Sequence, residues 1–544
     1  MFRRETARSG ALEAYDAGKF PGFTKDAAPP QVSELRRKNS NIPRAGSPRG
    51  AGGIVPPVLA LAGLVLSGCA VGPDFQKPAA PKVDAYTPQK LRPTAAAPGV
   101  AGGQAQHFAS GADISADWWT LFHSKPLNDL IEQALANNHD LKAAQAALTV
   151  ARETTKAQHG VFYPSVTAGF SAARAQDPPG ALAPIPSNNA FLYDLFTPQL
   201  SISYAPDVFG LNRRTAESQQ AQQEGVRYQL IAAYTTLTAN VVVTAIQLGA
   251  TQTQIDATRK LIALNTDMLE IVRYQREKGY ASQLDVAAQQ TQLAQTTASL
   301  PPLIKQAAQL QDSLAVLAGQ FPAQAKAENF DLSTLQLPQD IPVSLPSALV
   351  AQRPDVLQAQ ANMHAASAQI GVAIANRLPN ITLSANAGST ALQIGQLFSS
   401  GTGFWNVGAA LAAPIFEGGA LLHQERAARA AYTQASEQYR STVLTAFQNV
   451  ADTLVALQQD AQALKAAATA DHAAQVTLDL ARRQEKDGYA SGLALLNAQQ
   501  AYQQARITLA QAQASRFADT AALFQALGGG WWHRTDLARN DHDN

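Results

Sequence analysis

Two stretches of this chain, Leu211 to Lys278 and Ala420 to Asp487, run without a proline and keep a helical pattern from end to end. At 1.5 Å per residue each would make a helix roughly 100 Å long, a reach that no globular domain of ordinary size needs. A second helical run of about 40 residues follows each, from Gln283 and from Leu493. The only glycine-bearing breaks within the pairs are Gly279-Tyr280-Ala281-Ser282 and Gly488-Tyr489-Ala490-Ser491. Glycine supplies the tight turn that an antiparallel helix hairpin requires.

The pairs belong to a larger duplication, displaced by about 210 residues. Leu135 to Leu141, with Asp140, corresponds to Val350 to Val356, with Asp355; Phe162-Tyr163-Pro164 corresponds to Arg377-Leu378-Pro379. Ala205-Pro206 through Gly210 matches Ala413-Pro414 through Gly418, and Glu277 through Leu284 matches Lys486 through Leu493. Landmarks kept in order mark two copies of one unit, each reading helix, strand, strand, long helix, long helix. The copies span 126–320 and 346–528, with a linker at 321–345 and a C-terminal tail at 529–544.

The first helical pattern, 127–160, carries Leu127, Leu130, Ile131, Ala134 and Leu135 at helical spacing and stops at Pro164. Alternation then takes over. Val166, Ala168 and Phe170 oppose Ser165, Thr167 and Ser171; after a Pro- and Asn-rich loop at 177–198, Leu200, Ile202 and Tyr204 oppose Gln199, Ser201 and Ser203. Copy two repeats this with Ile381, Leu383 and Ala385, then Trp405, Val407, Ala409 and Leu411. Segments of about 8–10 residues, apolar on one face and small or polar on the other, suit membrane-spanning strands, although a half-buried soluble sheet has the same period. Four strands cannot close a barrel, and open edges in lipid cost several kcal/mol per unpaired group. The sequence therefore asks for several copies, and three would bring twelve strands. Trp405, Phe404, Tyr163 and Phe162 fall at strand ends, where interfacial aromatics sit, while Trp118-Trp119 reads as a packing anchor.

Residues 1–68 form a leader: a segment rich in Arg, Pro, Gly and Ser, then an apolar run from Ile54 to Leu66. That run is too short to cross a ~30 Å hydrocarbon core as a helix. Cys69 is the sole cysteine, and Leu66-Ser67-Gly68-Cys69 resembles a bacterial lipobox. The resemblance implies cleavage before Cys69, a covalent lipid (diacylglycerol, with palmitate) on its thiol, and a lipid-anchored extended segment over 69–125. Ala70, in place of an aspartate, favours sorting to the outer membrane. Without the leader the chain carries 32 Lys+Arg against 36 Asp+Glu, which gives no electrostatic case for nucleic acid. One cysteine also excludes an internal disulfide.

Cys69-Ala-Val-Gly72-Pro73-Asp74-Phe75, Asp117-Trp118-Trp119-Thr-Leu-Phe122, the Tyr439–Asp452 helix segment and the closing Ala526-Leu527-Gly528-Gly529-Gly530-Trp531 resemble TolC-like outer membrane factors, the NodT-type efflux lipoproteins. The resemblance covers nearly all of the mature chain. It implies an α+β membrane protein, a homotrimer with a 12-stranded transmembrane β-barrel continued by a 12-helix periplasmic α-barrel. It further implies an exit duct docked on a periplasmic adaptor (membrane fusion) protein that is fed by an inner-membrane pump.

In family terms the turns are periplasmic tips, and Gly279, Tyr280, Ala281, Ser282, Leu284, Gly488, Tyr489, Ala490, Ser491 and Leu493 would dock the adaptor. Asp285 matches the first gate aspartate of the family; the equivalent in copy two is Ala494, and the next aspartate position holds Asn497. Asp285 reads equally as a solvated charge at a helix N-terminus. No His-Glu-x-x-His, Gly-x-Ser-x-Gly or Gly-x4-Gly-Lys-Ser/Thr motif occurs, so neither an enzyme nor a metal or cofactor site is expected. The rival reading is a periplasmic coiled-coil adaptor or scaffold lipoprotein, which would lack two strand pairs per chain.

Overall fold

The computed structural model describes residues 70–178, 191–326, 330–490 and 492–535. The chain divides into two units, 1–62 and 63–544; the first lies outside the described residues, as do Cys69 and Ser491.

Copy one begins with α1 (Lys125–Asn137) and α2 (His139–His159). Ser124 caps α1 by accepting the Leu127 N–H, and Leu127, Leu130, Ile131 and Ala134 form its buried face. The single helix expected over 127–160 is therefore two. Asn138 leaves helical geometry at ψ 127°, and its Oδ1 accepts the Leu141 N–H at 2.9 Å to start the next helix. Copy two breaks at the matching place, between α5 (Pro346–Gln352) and α6 (Pro354–Ala375), because Pro354 holds Arg353 extended.

The long pair of copy one is α3 (Leu211–Glu277) and α4 (Gln283–Leu317); copy two has α7 (Ala420–Lys486) and α8 (Gly492–Ala526). The shorter member of each pair meets the short helix of its own copy end to end. Asn138 donates from Nδ2 to the Leu317 carbonyl at 3.0 Å, and Arg353 donates from Nη1 to the Ala526 carbonyl at 2.9 Å. Both bonds satisfy carbonyls that a helix C-terminus leaves without a partner. Each chain thus supplies four helical columns: α3, α7, α4 with α2, and α8 with α6.

The strands β2 (Ser165–Gln176), β3 (Leu192–Tyr204), β5 (Asn380–Ser389) and β6 (Gly403–Ala412) form one antiparallel sheet in the order β2-β3-β5-β6. The first two have 12 and 13 residues, longer than their alternation indicates. Pro198, which has no N–H to donate, stays within β3, but β5 pairs with β3 only from Gln199 to Tyr204. A second sheet, β1 (His107–Ser110) parallel to β4 (Asp340–Val343), joins the N-terminal segment to the linker. Nothing in the alternation pattern marked these four-residue strands.

The core lies where α1, α3, α6, α7 and α8 converge with the N-terminal segment. Trp118 is fully buried and stacks on Phe524 at 5.2 Å; Phe122 meets Phe517, and Trp119 approaches Tyr234. An 18-residue window of α3 is apolar enough to pass for a membrane span, yet 61% of it is buried in this core.

Candidate channel wall, tips and anchor region

The pairing register turns four weak alternation signals into one amphipathic sheet. Val166, Ile202, Ala385 and Val407 fall in one row across the strands; Ala168, Leu200, Ala387 and Trp405 make the next. The opposite face carries Ser165, Ser203, Ser384 and Gly408, then Thr167, Ser201, Asn386 and Asn406. Asn386 donates to Asn406 at 3.0 Å, and the Ser165 and Thr167 hydroxyls donate to carbonyls of β3. Toward the far end of the apolar face stand Arg174 and Asp194, 3.8 Å apart. Trp405 is an exposed member of the apolar face, whereas Phe404 belongs to the other; Tyr163 is exposed at the helix-proximal end. The edges β2 and β6 each have one unpaired side.

At the opposite end of α3 and α7 the two turns are built alike. Gly279 and Gly488 adopt φ +83° and +80°, and open space surrounds both positions. Gly279 donates to Arg276 and Gly488 to Glu485, both at 3.0 Å; Tyr280 donates to Gln275 and Tyr489 to Gln484. The left-handed residue closes the last helical carbonyls and reverses the chain. Tyr280 and Tyr489 are 85% and 87% exposed, and Leu284 is also bare. Ala281 and Ala490 are half-buried. Ser491 and the Leu493 side chain lie outside the described residues.

Asp285 is committed to its own helix. Its Oδ2 accepts the Ser282 backbone N–H at 2.8 Å and the Ser282 hydroxyl at 2.7 Å, while Ser282 Oγ accepts the Asp285 N–H, completing a capping box. These bonds, the backbone one foremost, hold its carboxyl below the usual range. Asn497 is exposed on α8. The structure thus gives Asp285 a local structural role, while leaving its charge in solvent.

Near the tips two side-chain bonds join the hairpins. Gln275 on α3 donates to Glu485 on α7 at 3.2 Å, and Gln500 on α8 donates to Gln292 on α4 at 2.6 Å. Sequence reading missed both, since isolated glutamines in a Gln-rich chain carry no positional signal.

The segment after Cys69 is pinned where sheet passes into helix. The Val71 N–H donates to Phe209 at 3.1 Å; the nearly buried Arg214, on the first turn of α3, donates to the Val71 and Gly72 carbonyls and pairs with Asp74 at 2.7 Å. Phe75 stacks on His364 at 4.4 Å. Residue 70 therefore lies against Gly210, at the helix-proximal end of the sheet.

Farther along, the same segment is held by Arg516. This wholly buried guanidinium donates to the Gly102, Gln104 and Leu457 carbonyls and to Thr94 Oγ1, and burial pulls it down to about 10. Beside it, burial pushes Asp460 up to about 7, with a hydrogen bond and like charge from Asp519 adding to the shift. An arginine on an otherwise apolar helix face was the available sequence signal.

Known proteins share this whole arrangement. The outer membrane efflux protein family model matches residues 130–320 and 345–529. The probable efflux pump outer membrane protein TtgC of Pseudomonas putida is 30% identical over 488 residues, spanning 88% of this chain and 96% of that one. The pyoverdine export outer membrane protein OpmQ of Pseudomonas aeruginosa is 30% identical over 467 residues, spanning 84% and 96%. Among solved structures, the outer-membrane channel OprN aligns over 85% of this chain and 100% of its own, with TM-score 0.75 and 26% identity. The Campylobacter jejuni CmeC outer membrane channel aligns over 86% and 97%, with TM-score 0.77 and 21% identity. Two matched copies, each with strand pair and helix hairpin in the same order, leave one assignment: this chain belongs to the outer membrane efflux protein family.

Proposed function

We propose that three copies of this chain form the outer-membrane exit duct of a tripartite efflux pump. The observation that carries this reading is the four-stranded sheet with two open edges and opposite apolar and polar faces, continuous with helices of 67 residues. In lipid those edges need partners, and β6 of one copy runs antiparallel to β2 of the next, so the ring closes without a change of pattern. Three copies bring twelve strands and twelve helical columns. Small and polar residues then line a wet lumen, whereas an eight-stranded ring would be filled by its own side chains. Val150 on α2 and Leu444 on α7 are exposed apolar residues suited to contacts between copies.

Cys69 carries the lipid in this reading. Val71 and Asp74 are fixed at the sheet-to-helix junction, which is the level of the periplasmic leaflet if the sheet spans the membrane. The exposed tip residues Tyr280, Leu284 and Tyr489 meet a periplasmic adaptor, which opens an iris formed by the hairpins, and cargo passes without chemistry on the duct. The pump, not the lining, selects the cargo.

The test combines oligomer size in detergent, heat-modifiable migration and conductance in planar bilayers. Heat-labile trimers that form pores are expected; monomers without conductance would refute the duct. Replacing Gly279 and Gly488 together by bulky residues should abolish export with the trimer intact, and normal export in that variant would reject the tips as the gate. Metabolic labelling with palmitate, lost in Cys69→Ser, tests the anchor.

A further inference from the structure

Phe404 falls at a strand end, where an interfacial aromatic is expected, yet the register turns it away from Trp405 and onto the polar face of the sheet. There it completes the row of Gly169, Gln199 and Gly388. The two rows on its helix-proximal side, those that begin at Ser165 and Thr167, carry only hydroxyls, amides and a glycine. The row beyond it begins at Ser171 and Thr197 and continues through Thr390, whose hydroxyl lies 3.1 Å from that of Thr197. No charged side chain stands in these rows, and Phe404 is their one aromatic residue. It is half-buried, and it belongs to none of the apolar clusters among the described residues. Glycine leaves space beside it. A Cβ at Gly388 would meet the Pro198 carbonyl oxygen at 2.4 Å, so that position excludes a side chain, while a Cβ at Gly169 would meet nothing within 4 Å. Phe404 therefore has no side-chain neighbour on β5 in its own row.

We infer that Phe404 is a contact site in the lumen for flat aromatic cargo, neutral or cationic. The inference rests on the duct reading above, which makes the polar face of the sheet the lumen wall. A phenyl ring on a wetted wall gains free energy from whatever apolar surface covers it. The three copies of Phe404 cannot cover one another: twelve tilted strands spaced ~4.8 Å apart enclose a ring roughly 24 Å across between backbones. Passing cargo is what remains. The face of the ring attracts flat aromatic molecules by stacking and cations by its quadrupole. Amides stand around it to meet the polar edges of such a molecule. Asn406 lies two residues along β6, and Gln199 lies in the same row across the gap at Gly388, two strands or about 10 Å away. Anions gain nothing here, because the rows hold no positive charge and the ring face is itself negative. The pump still chooses what enters; Phe404 sets how long aromatic molecules linger on the way out.

Single-channel recording of reconstituted trimers reads the residence of added probes as current blockades. Proflavine, a planar aromatic cation, should dwell about fivefold longer than tetraethylammonium, a cation without a ring, and naphthalenesulfonate, an aromatic anion, should not dwell. Phe404→Leu keeps the apolar bulk without the ring and should shorten the proflavine dwell about fivefold, whereas Phe404→Trp should lengthen it. Trp405→Leu, on the opposite face, should leave that dwell unchanged. Proflavine lingering no longer than tetraethylammonium, or equally long in the parent and in Phe404→Leu, would overturn the inference. A charged thiol reagent supplies a measurement that does not depend on blockade. In trimers held in lipid vesicles it should modify Phe404→Cys faster than Trp405→Cys, and the reverse order would put Phe404 in lipid and end the proposal. A protein that forms no pore would fail the duct reading itself; a pore indifferent to Phe404 would fail this inference alone.

Discussion

Below their joints with the short helices, the two hairpins of this chain match in length, 67 and 35 residues each, and in the geometry of their turns, yet their interiors follow different chemistry. Between its two helices copy one has a layer of side-chain hydrogen bonds around Asn265, with two prolines in α4; copy two has mostly alanine and leucine there, with the Asp471–Arg506 pair and a buried Gln499, and is clamped by an arginine. Duplication conserved what the turn requires, a left-handed glycine followed by an exposed tyrosine. It did not conserve the residues that lie between the two helices.

The largest effect should come from removing the arginine clamp of copy two. Arg516→Ala removes a donor from four oxygens, of which Thr94 Oγ1 keeps the Gln106 N–H, and opens a cavity, a loss of about 3–5 kcal/mol by analogy with broken buried charge networks. Thermal unfolding, together with proteolysis over 94–106, reads it; a stability within error of the parent would remove the arginine from the comparison. Next in size, Pro301→Ala with Pro302→Ala should stabilise copy one by about 2–3 kcal/mol, visible as slower exchange in α4. No gain would mean that the prolines are already accommodated.

The carboxylate pair beside Arg516 adds a pH dependence. Asp460 is raised in the folded state, so the folded protein holds a proton between its unfolded value and about 7 that the unfolded chain has lost. Stability from this group is therefore present in acid and declines as pH rises through that window. Asp460→Asn should be more stable than the parent at pH 8 and no more stable at pH 5, by melting of the solubilised trimer at both values; a pH-independent difference would contradict the assignment.

Gly279→Ala and Gly488→Ala should each cost about 1 kcal/mol, through left-handed strain alone because nothing crowds either site. Equal costs would affirm that the turns are equivalent, and unequal ones would extend the asymmetry to the tips. The smallest effect belongs to Asp285→Asn. Its lowered carboxyl supports the α4 cap above its unfolded value and loses that support as pH falls, while copy two has Ala494 at the same place. Single-channel recordings with and without divalent cations should show little change; strong relief of cation block would instead make Asp285 a gate residue.

Much of this was legible in the chain. The repeat, the hairpin turns and the strand alternation are local patterns, and they survive because a glycine turn or a period of two is dictated by the backbone itself. Splitting of the first helix at Asn138 was less visible, since an asparagine inside a helical pattern does not show that its Oδ1 will cap the next helix while its Nδ2 meets the distant Leu317 carbonyl. The pair of β1 and β4 was invisible for a related reason: four-residue strands carry too few residues to show a period, and their partner lies more than two hundred positions away.

By itself the sequence determined the number of repeats, the kind of the long helices and of the four sheet strands, and the incompleteness of the sheet, because periodicity and open edges follow from covalent geometry and backbone hydrogen bonding. Only the tertiary structure decided which polar residues are interior. Gln289 and Gln290 look alike in the chain, yet the former is buried against Asn265 and the latter is exposed, because burial depends on where a second helix lies and not on the residue.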